Sequence, residues 1–222
     1  MDDGASISML GIELHTRRRN RMNGAVHRRD GDSFHVAVEQ SFGNCPQYIQ
    51  LRDFAFVRDP AEPSPAQPVV LNALTPRTHA IVERADTFFA ASYFDREDGQ
   101  RQADVSHRGG RAGFVRVADD GSFTVPDYSF FNTLGNIHVN GRAGLLFADF
   151  KTSDMLQLTG AAEVLLDSPE TAAFQGAERL WHFTPHRIVL REGALPLHWT
   201  FREDGWSPNS LMTDDWHKPP NA

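Results

Sequence analysis

Ala103-Asp104-Val105-Ser106-His107-Arg108-Gly109-Gly110-Arg111-Ala112-Gly113-Phe114-Val115-Arg116-Val117 sets an acid, a hydroxyl, an imidazole and guanidiniums among glycines. As a polar loop between two runs that alternate like strands, it lets backbone amides, a hydroxyl and a guanidinium converge on one anion, the donor set of a phosphate site. Gly109-Gly110 lacks both the Lys-Ser/Thr ending and the following helix that P-loop and dinucleotide motifs need. The implied ligand bears a phosphate held in another way.

Composition narrows the class. The 222 residues, 40% hydrophobic and 10% aromatic, suffice to bury one core and part of a second, as in a soluble globular protein. A net charge of −7 argues against a nucleic-acid partner, because phosphate backbones are bound by net-positive surfaces. No apolar run is long enough to span a bilayer, so no membrane partner is expected. Met1-Asp2-Asp3-Gly4 is acidic where a targeting segment is basic. The single cysteine, Cys45, excludes an internal disulfide and suits a reducing, cytoplasmic setting.

Read in order, strands dominate. Residues 6–15, 21–27 and 34–40 alternate as strands, and Asn44-Cys45-Pro46 reads as the start of a short helix. Four prolines at residues 60, 63, 65 and 68 mark an extended connector. Beyond it come a helix from Thr75-Pro76 to about Arg84, an apolar strand at Thr87–Phe94, and hairpin strands at Phe114–Val117 and Ser122–Pro126. A short helix over Phe130–Ile137 ends at Asn140-Gly141. Strands then run over 143–150 and 155–166, a helix over 169–179, and a closing strand over 186–191. Trp216 to Ala222 reads as a frayed end.

Met9-Leu10-Gly11-Ile12-Glu13-Leu14-His15-Thr16 lies over Leu145-Leu146-Phe147-Ala148-Asp149-Phe150-Lys151-Thr152 at an offset of 136 (145 − 9), matching an acid, an apolar residue and a threonine. The same offset sets Met22-Asn23-Gly24-Ala25 on Leu158-Thr159-Gly160-Ala161. A repeat of domain-scale period means tandem domains rather than a solenoid. On that basis residues 1–57 are the C-terminal part of a first barrel-like domain, 58–70 a linker, 71–205 a complete second domain and 206–222 a tail. Met1 would then fall inside a domain, with either a misplaced coding start or an open edge that must pair onto something.

With these elements laid out, the chain resembles the pyridoxamine 5′-phosphate oxidase-like proteins with the FMN-binding split barrel. The likeness rests on Asp104 to Gly110 leading into Gly113-Phe114-Val115-Arg116-Val117, then Pro126-Asp127, Phe131-Asn132-Thr133-Leu134-Gly135-Asn136-Ile137, Gly144-Leu145-Leu146-Phe147 and Leu156-Gln157-Leu158-Thr159-Gly160. Thr16-Arg17-Arg18-Arg19, Asn23-Gly24 and Phe42 to Gln50 resemble a two-barrel subgroup, here with an incomplete first barrel; Gln47 stands where that subgroup often has Lys. The resemblance implies a mainly β fold, a six-stranded Greek-key split barrel, usually a homodimer with FMN at the subunit interface. Carried over, Ser106, Arg108 and Gly109 belong to the phosphate and ribityl wall, with His107, Pro126 and Asp127 also at the cofactor. Asn132, Thr133 and Asn136 belong to the helix that closes over it, and Gln157 approaches the isoalloxazine. The oxidase's own Arg-x-Val-Leu-Leu-Lys strand is replaced by Gln102 to His107, and its Ser-Arg-Lys by Asp127-Tyr128-Ser129, so the vitamin-processing activity is not implied.

Three functional readings follow. One is an FMN-dependent oxidoreductase acting on a small-molecule substrate or reductant, with no catalytic residue assigned. Another is a non-catalytic module that carries or senses FMN, haem or a deazaflavin. A colourless dimeric scaffold is a third. His107, His138 and His182 are the imidazoles available to a haem iron. No metal site is expected, since no HExxH or CxxC spacing occurs. Arg17-Arg18-Arg19 reads as a solvated hairpin tip, Cys45 as a small buried residue or a thiol at a helix start, and Trp181 and Phe183 as core, interface or flavin-stacking aromatics.

Overall fold

Alternation near the start produces a hairpin of β1 (Ser6–Glu13) and β2 (Arg18–Arg28), and β2 pairs onward with β3 (Phe34–Phe42). The computed structural model describes residues 2–43, 45–64, 66–128, 131–213 and 216. The next elements are β4 (Arg52–Phe56), β5 (Val69–Leu71) and α1 (Pro76–Arg84), the last opened by a Thr75/Thr78 capping box. Then follow β6 (Thr87–Asp95), β7 (Arg101–Gly109), β8 (Arg116–Val117), β9 (Phe123–Asp127) and α2 (Asn132–Asn140). Gly141, at φ 68°, ends α2 in the left-handed conformation. The chain closes with β10 (Arg142–Ala148), β11 (Met155–Leu165), β12 (Arg179–Arg191), β13 (Leu197–Phe201) and α3 (Pro208–Met212).

The fold is mainly β. One sheet follows the order β7-β6-β10-β11-β12-β9-β8, with β5 added on β12. Its six long strands curl around Phe88, Phe123, Phe147, Leu156, Trp181 and Phe183, all fully buried, while α1 and α2 supply Val82 and Leu134 to the same core. Burying these rings is the main favourable term in forming the barrel. Trp181 and Phe183 are therefore core residues and do not stack on a ligand.

The repeat is visible in three dimensions. Ser8 faces Asn23 and Met9 faces Met22, as Gly144 faces Thr159 and Leu145 faces Leu158. Both hairpins then meet a third strand through a β-bulge at the same step, Asn23/Gly24 and Thr159/Gly160. The bulges need glycine: a Cβ at Gly24 would overlap the Ala37 carbonyl, and one at Gly160 the Thr184 carbonyl. Opposite Gly160 sits Pro185, which a central strand tolerates only at such an irregularity. Last, β4 pairs with β13, so residues 52–56 and 197–201 share one ribbon.

Several expectations change. Ser106, His107 and Arg108 lie on a strand, β7, not in a loop, because Arg101–Gly109 pairs with β6 along its whole length. No helix forms at 45–50, where Tyr48 takes φ 63° and breaks helical geometry; Asn44 lies outside the described residues. The helix at 169–179 shrinks to a 3₁₀ turn, Pro169–Ala173, with Gly176 at φ 80° behind it, and β12 starts at Arg179 rather than 186. Trp216 is docked rather than frayed: its Nε1 donates to the Phe114 carbonyl at 3.1 Å and its ring meets Phe174 edge-on.

Gly160→Ala and Gly24→Ala are each expected to lower stability by about 1–3 kcal/mol, the scale of overpacking. Gly144→Ala, whose Cβ would meet only ordinary contacts, should cost about 0.5 kcal/mol or less. Urea midpoints of the three variants measure the difference; equal midpoints would remove the structural role assigned to the bulges.

Candidate functional site

Strand β7 is the edge of the large sheet, and an uncovered edge invites wrong pairing. The β1–β2 hairpin covers it through polar contacts. Asp104, 4% exposed, accepts hydrogen bonds from Arg21 Nη1 at 3.1 Å, Asn23 Nδ2 at 3.2 Å and Thr133 Oγ1 at 2.6 Å. The Ser6 hydroxyl accepts from the Ala103 N–H at 2.9 Å. These contacts hold β2, β7 and α2 together at one point.

Beside that point lies a cavity of about 470 Å³ between the first copy and the barrel. The first copy lends Arg19, Arg21, Phe42, Cys45 and Tyr48; the barrel lends Ser106, His107, Arg108, Phe114 and Tyr128. Among the described residues, three guanidiniums and no carboxylate line it. Arg21 is fixed twice over, paired to Asp104 and lying 3.8 Å from the centre of the Phe42 ring. Burial lowers the pKa of Arg19 and of Arg21, yet a guanidinium stays charged at neutral pH. Asn132 and Thr133 open α2, so the positive end of that helix meets the same cavity.

Arg108 sits deeper. Its Nε donates to Ser106 Oγ at 3.2 Å, and its guanidinium pairs with Asp127, which is fully buried and also accepts from Arg179 Nη1 at 3.0 Å. Burial first, then neighbouring arginines against the pull of Asp104, bring its pKa down to about 10. Arg108 thus reaches the cavity with its charge matched by Asp127, as that of Arg21 is by Asp104. His107 is 6% exposed, its pKa pushed down to about 3 by burial and then by Arg19, Arg108 and Arg52. It is a neutral imidazole whose Nε2 is buried without a hydrogen-bond partner among the described residues.

Of the residues expected at the cofactor, Ser106, His107, Arg108, Gly109, Pro126, Asn132 and Thr133 line this cavity. Asp127 stands behind the wall as the counter-ion of Arg108. Asn136 points elsewhere, donating to Ser92 Oγ at 3.2 Å. Gln157 is exposed on β11, in register between Leu146 and Val189, away from the cavity. The repeat explains this: 157 − 136 is 21, and Arg21 occupies in the first copy the place that Gln157 has in the second. Of the arginine tip, only Arg18 is exposed; Arg17 donates to the Ile49 and Trp206 carbonyls, both at 2.9 Å, and Arg19 enters the cavity. Cys45 is a partly exposed cavity residue. His138 is exposed, and neither it nor His182 lines the cavity.

The large sheet has counterparts among solved structures. HupZ of Group A Streptococcus covers 52% of this chain and 91% of its own at 17% identity and a TM-score of 0.40. A Clostridium acetobutylicum protein related to general stress protein 26, of the pyridoxinephosphate oxidase family, covers 56% and 92% at 15% identity and a TM-score of 0.39. An FAD-binding protein of Mycobacterium smegmatis covers 57% and 98% at 9% identity and a TM-score of 0.38. Proteins of Lactobacillus delbrueckii and Listeria innocua that carry the name pyridoxamine 5′-phosphate oxidase match 53% and 51% of this chain at 18% and 16% identity and TM-scores of 0.41 and 0.37. No family model and no curated protein matches it.

Burial of neutral His107 makes stability depend on pH. The folded chain keeps it unprotonated down to about pH 3, whereas the unfolded chain takes up a proton below about pH 6.5. The unfolded state then binds more protons, so stability is lost as pH falls through that window, by at most roughly 1.4 kcal/mol per pH unit from this group. His107→Gln should flatten the decline between pH 6.5 and 4.5 in urea titrations. Parallel slopes for the two proteins would contradict a buried neutral imidazole.

Proposed function

We propose that the chain binds FMN in the cavity between its two halves and acts as an oxidoreductase on a small molecule. The observation that carries this reading is the cavity wall itself: guanidiniums, hydroxyls, a helix start and aromatic rings, with no carboxylate among the described residues. That donor set suits a phosphomonoester on a planar ring. The size agrees, since 470 Å³ lies toward the small end of ligand sites, roughly 300–1,000 Å³, and favours a mononucleotide over a dinucleotide.

Arg21, Ser106, Asn132 and Thr133 would hold the phosphate. Arg21 is pre-oriented by Asp104 and Phe42, so little side-chain entropy is lost on binding. Bound there, FMN supplies hydride and electron chemistry, while the residues around it provide orientation and charge. Arg19, partly buried at the cavity, offers positive charge to an anionic group. One chain supplies both walls, so we propose one FMN per chain, independent of the homodimer that the resemblance implies. A cytoplasmic setting is part of the same proposal, resting on the single cysteine.

A second reading has its own observation. The buried, neutral His107, whose Nε2 has no hydrogen-bond partner among the described residues, suits an axial imidazole, which would make the chain a haem carrier.

Titration with FMN and with haemin separates the two, through flavin-fluorescence quenching and a Soret band. In the FMN reading, Arg21→Gln weakens binding by about 10- to 100-fold, the scale of roughly 1.5–3 kcal/mol for a hydrogen bond to a charged group. Gln157→Ala leaves it unchanged. Wild-type protein that ignores FMN, or a larger effect at Gln157 than at Arg21, would sink the proposal.

A further inference from the structure

Tyr48 and Tyr128 form a stacked pair in the cavity wall, their ring centroids 5.0 Å apart and their planes 24° from parallel. One ring comes from each half of the molecule: Tyr48 from the segment between β3 and β4, Tyr128 from the end of β9. Nothing in the sequence pattern pairs residues 80 positions apart (128 − 48).

The pair is held in place at a cost. Tyr48 sits at φ 63°, a left-handed conformation that a bulky residue rarely adopts. Its surroundings impose that conformation. Its N–H donates to Ser207 Oγ at 3.1 Å, and its carbonyl accepts from Gln50 Nε2 at 3.3 Å. Gln50 Oε1 in turn accepts from the Ser207 N–H at 2.8 Å, and Arg17 Nε donates to the next carbonyl, Ile49, at 2.9 Å. The Tyr48 carbonyl lies so close to Gly109 that no Cβ would fit there. Tyr128 follows Asp127, which is locked between Arg108 and Arg179. Burial, with Cys45 and Glu178 nearby, also raises the Tyr48 pKa, so its phenol is neutral across the ordinary pH range.

A non-glycine residue kept in strained geometry at a cavity wall is a sign of function rather than of packing economy. We propose that the Tyr48–Tyr128 pair is the platform that recognises the planar ring of the ligand, selecting a heteroaromatic phosphomonoester over other phosphorylated compounds. This rests on the FMN reading above. Both rings line the cavity, and polarisable ring faces favour offset stacking of a further planar group. Because the rings belong to different halves, a stacked ligand also ties the first copy to the barrel.

Tyr48→Leu, Tyr128→Leu and Tyr48→Phe are titrated with FMN, with competition by inorganic phosphate. An electron-rich phenol in contact with an excited flavin passes it an electron that then returns, so bound FMN in the wild type should be strongly quenched. Each leucine variant is expected to bind FMN about tenfold more weakly, with brighter bound flavin and unchanged competition by phosphate. Tyr48→Phe keeps the stack and the affinity but loses part of the quenching, because a phenyl ring is a poor electron donor. If a leucine variant fails to fold by circular dichroism, that phenylalanine signature still decides. Wild-type binding of FMN with affinity and quenching unchanged in all three variants overturns the platform and leaves the FMN reading standing. Wild-type protein that does not bind FMN overturns both.

Discussion

Asp104 is the residue on which the architecture depends. A carboxylate taken out of water is strongly disfavoured unless charge and hydrogen bonds replace its hydration. Here that replacement comes from three side chains on two elements: Arg21 and Asn23 on β2, and Thr133 on α2. The need to satisfy one buried charge therefore docks the first copy on the barrel edge and fixes the start of α2. The cavity exists because β2 and α2 meet β7 at that point.

The two copies share a register and a bulge but not a role. Arg19, Arg21 and Phe42 in the first correspond to Met155, Gln157 and Val189 in the second, by the offsets of 136 for the hairpin and 147 (185 − 38) across the bulge. Cation and aromatic ring stand where a barrel edge faces them, and uncharged, non-aromatic residues stand at the matching positions of the second copy. Backbone geometry is conserved between halves because the glycine bulges leave no alternative, while side chains have diverged with what each face meets.

How far the sequence could be read follows from the range of the interactions. Alternation of polar and apolar residues is local, so the hairpins, α1 and α2 were legible. The offset of 136 set Met22-Asn23-Gly24-Ala25 on Leu158-Thr159-Gly160-Ala161, but the bulge at each glycine appears only in the strand pairing. The strand character of Gln102 to Gly109 was hidden, since its polar residues read as a loop and become a strand only through pairing with β6. The turn at Tyr48 was equally hidden, because its left-handed backbone is imposed by Ser207, Gln50 and Gly109, remote in sequence.

By itself the sequence determined a mainly β chain with an internal repeat and a cationic, hydroxyl-bearing stretch around Ser106 and Arg108, because residue type and spacing express themselves over a few positions. Only the tertiary structure decided which cations face the cavity. It set Arg108 against Asp127, brought Arg21 and Arg19 from the other copy, and left Gln157 outside. The reason is physical: which cation meets which buried counter-ion, and which of them borders the cavity, depends on contacts between residues as far apart as 21 and 104, and no local pattern encodes them.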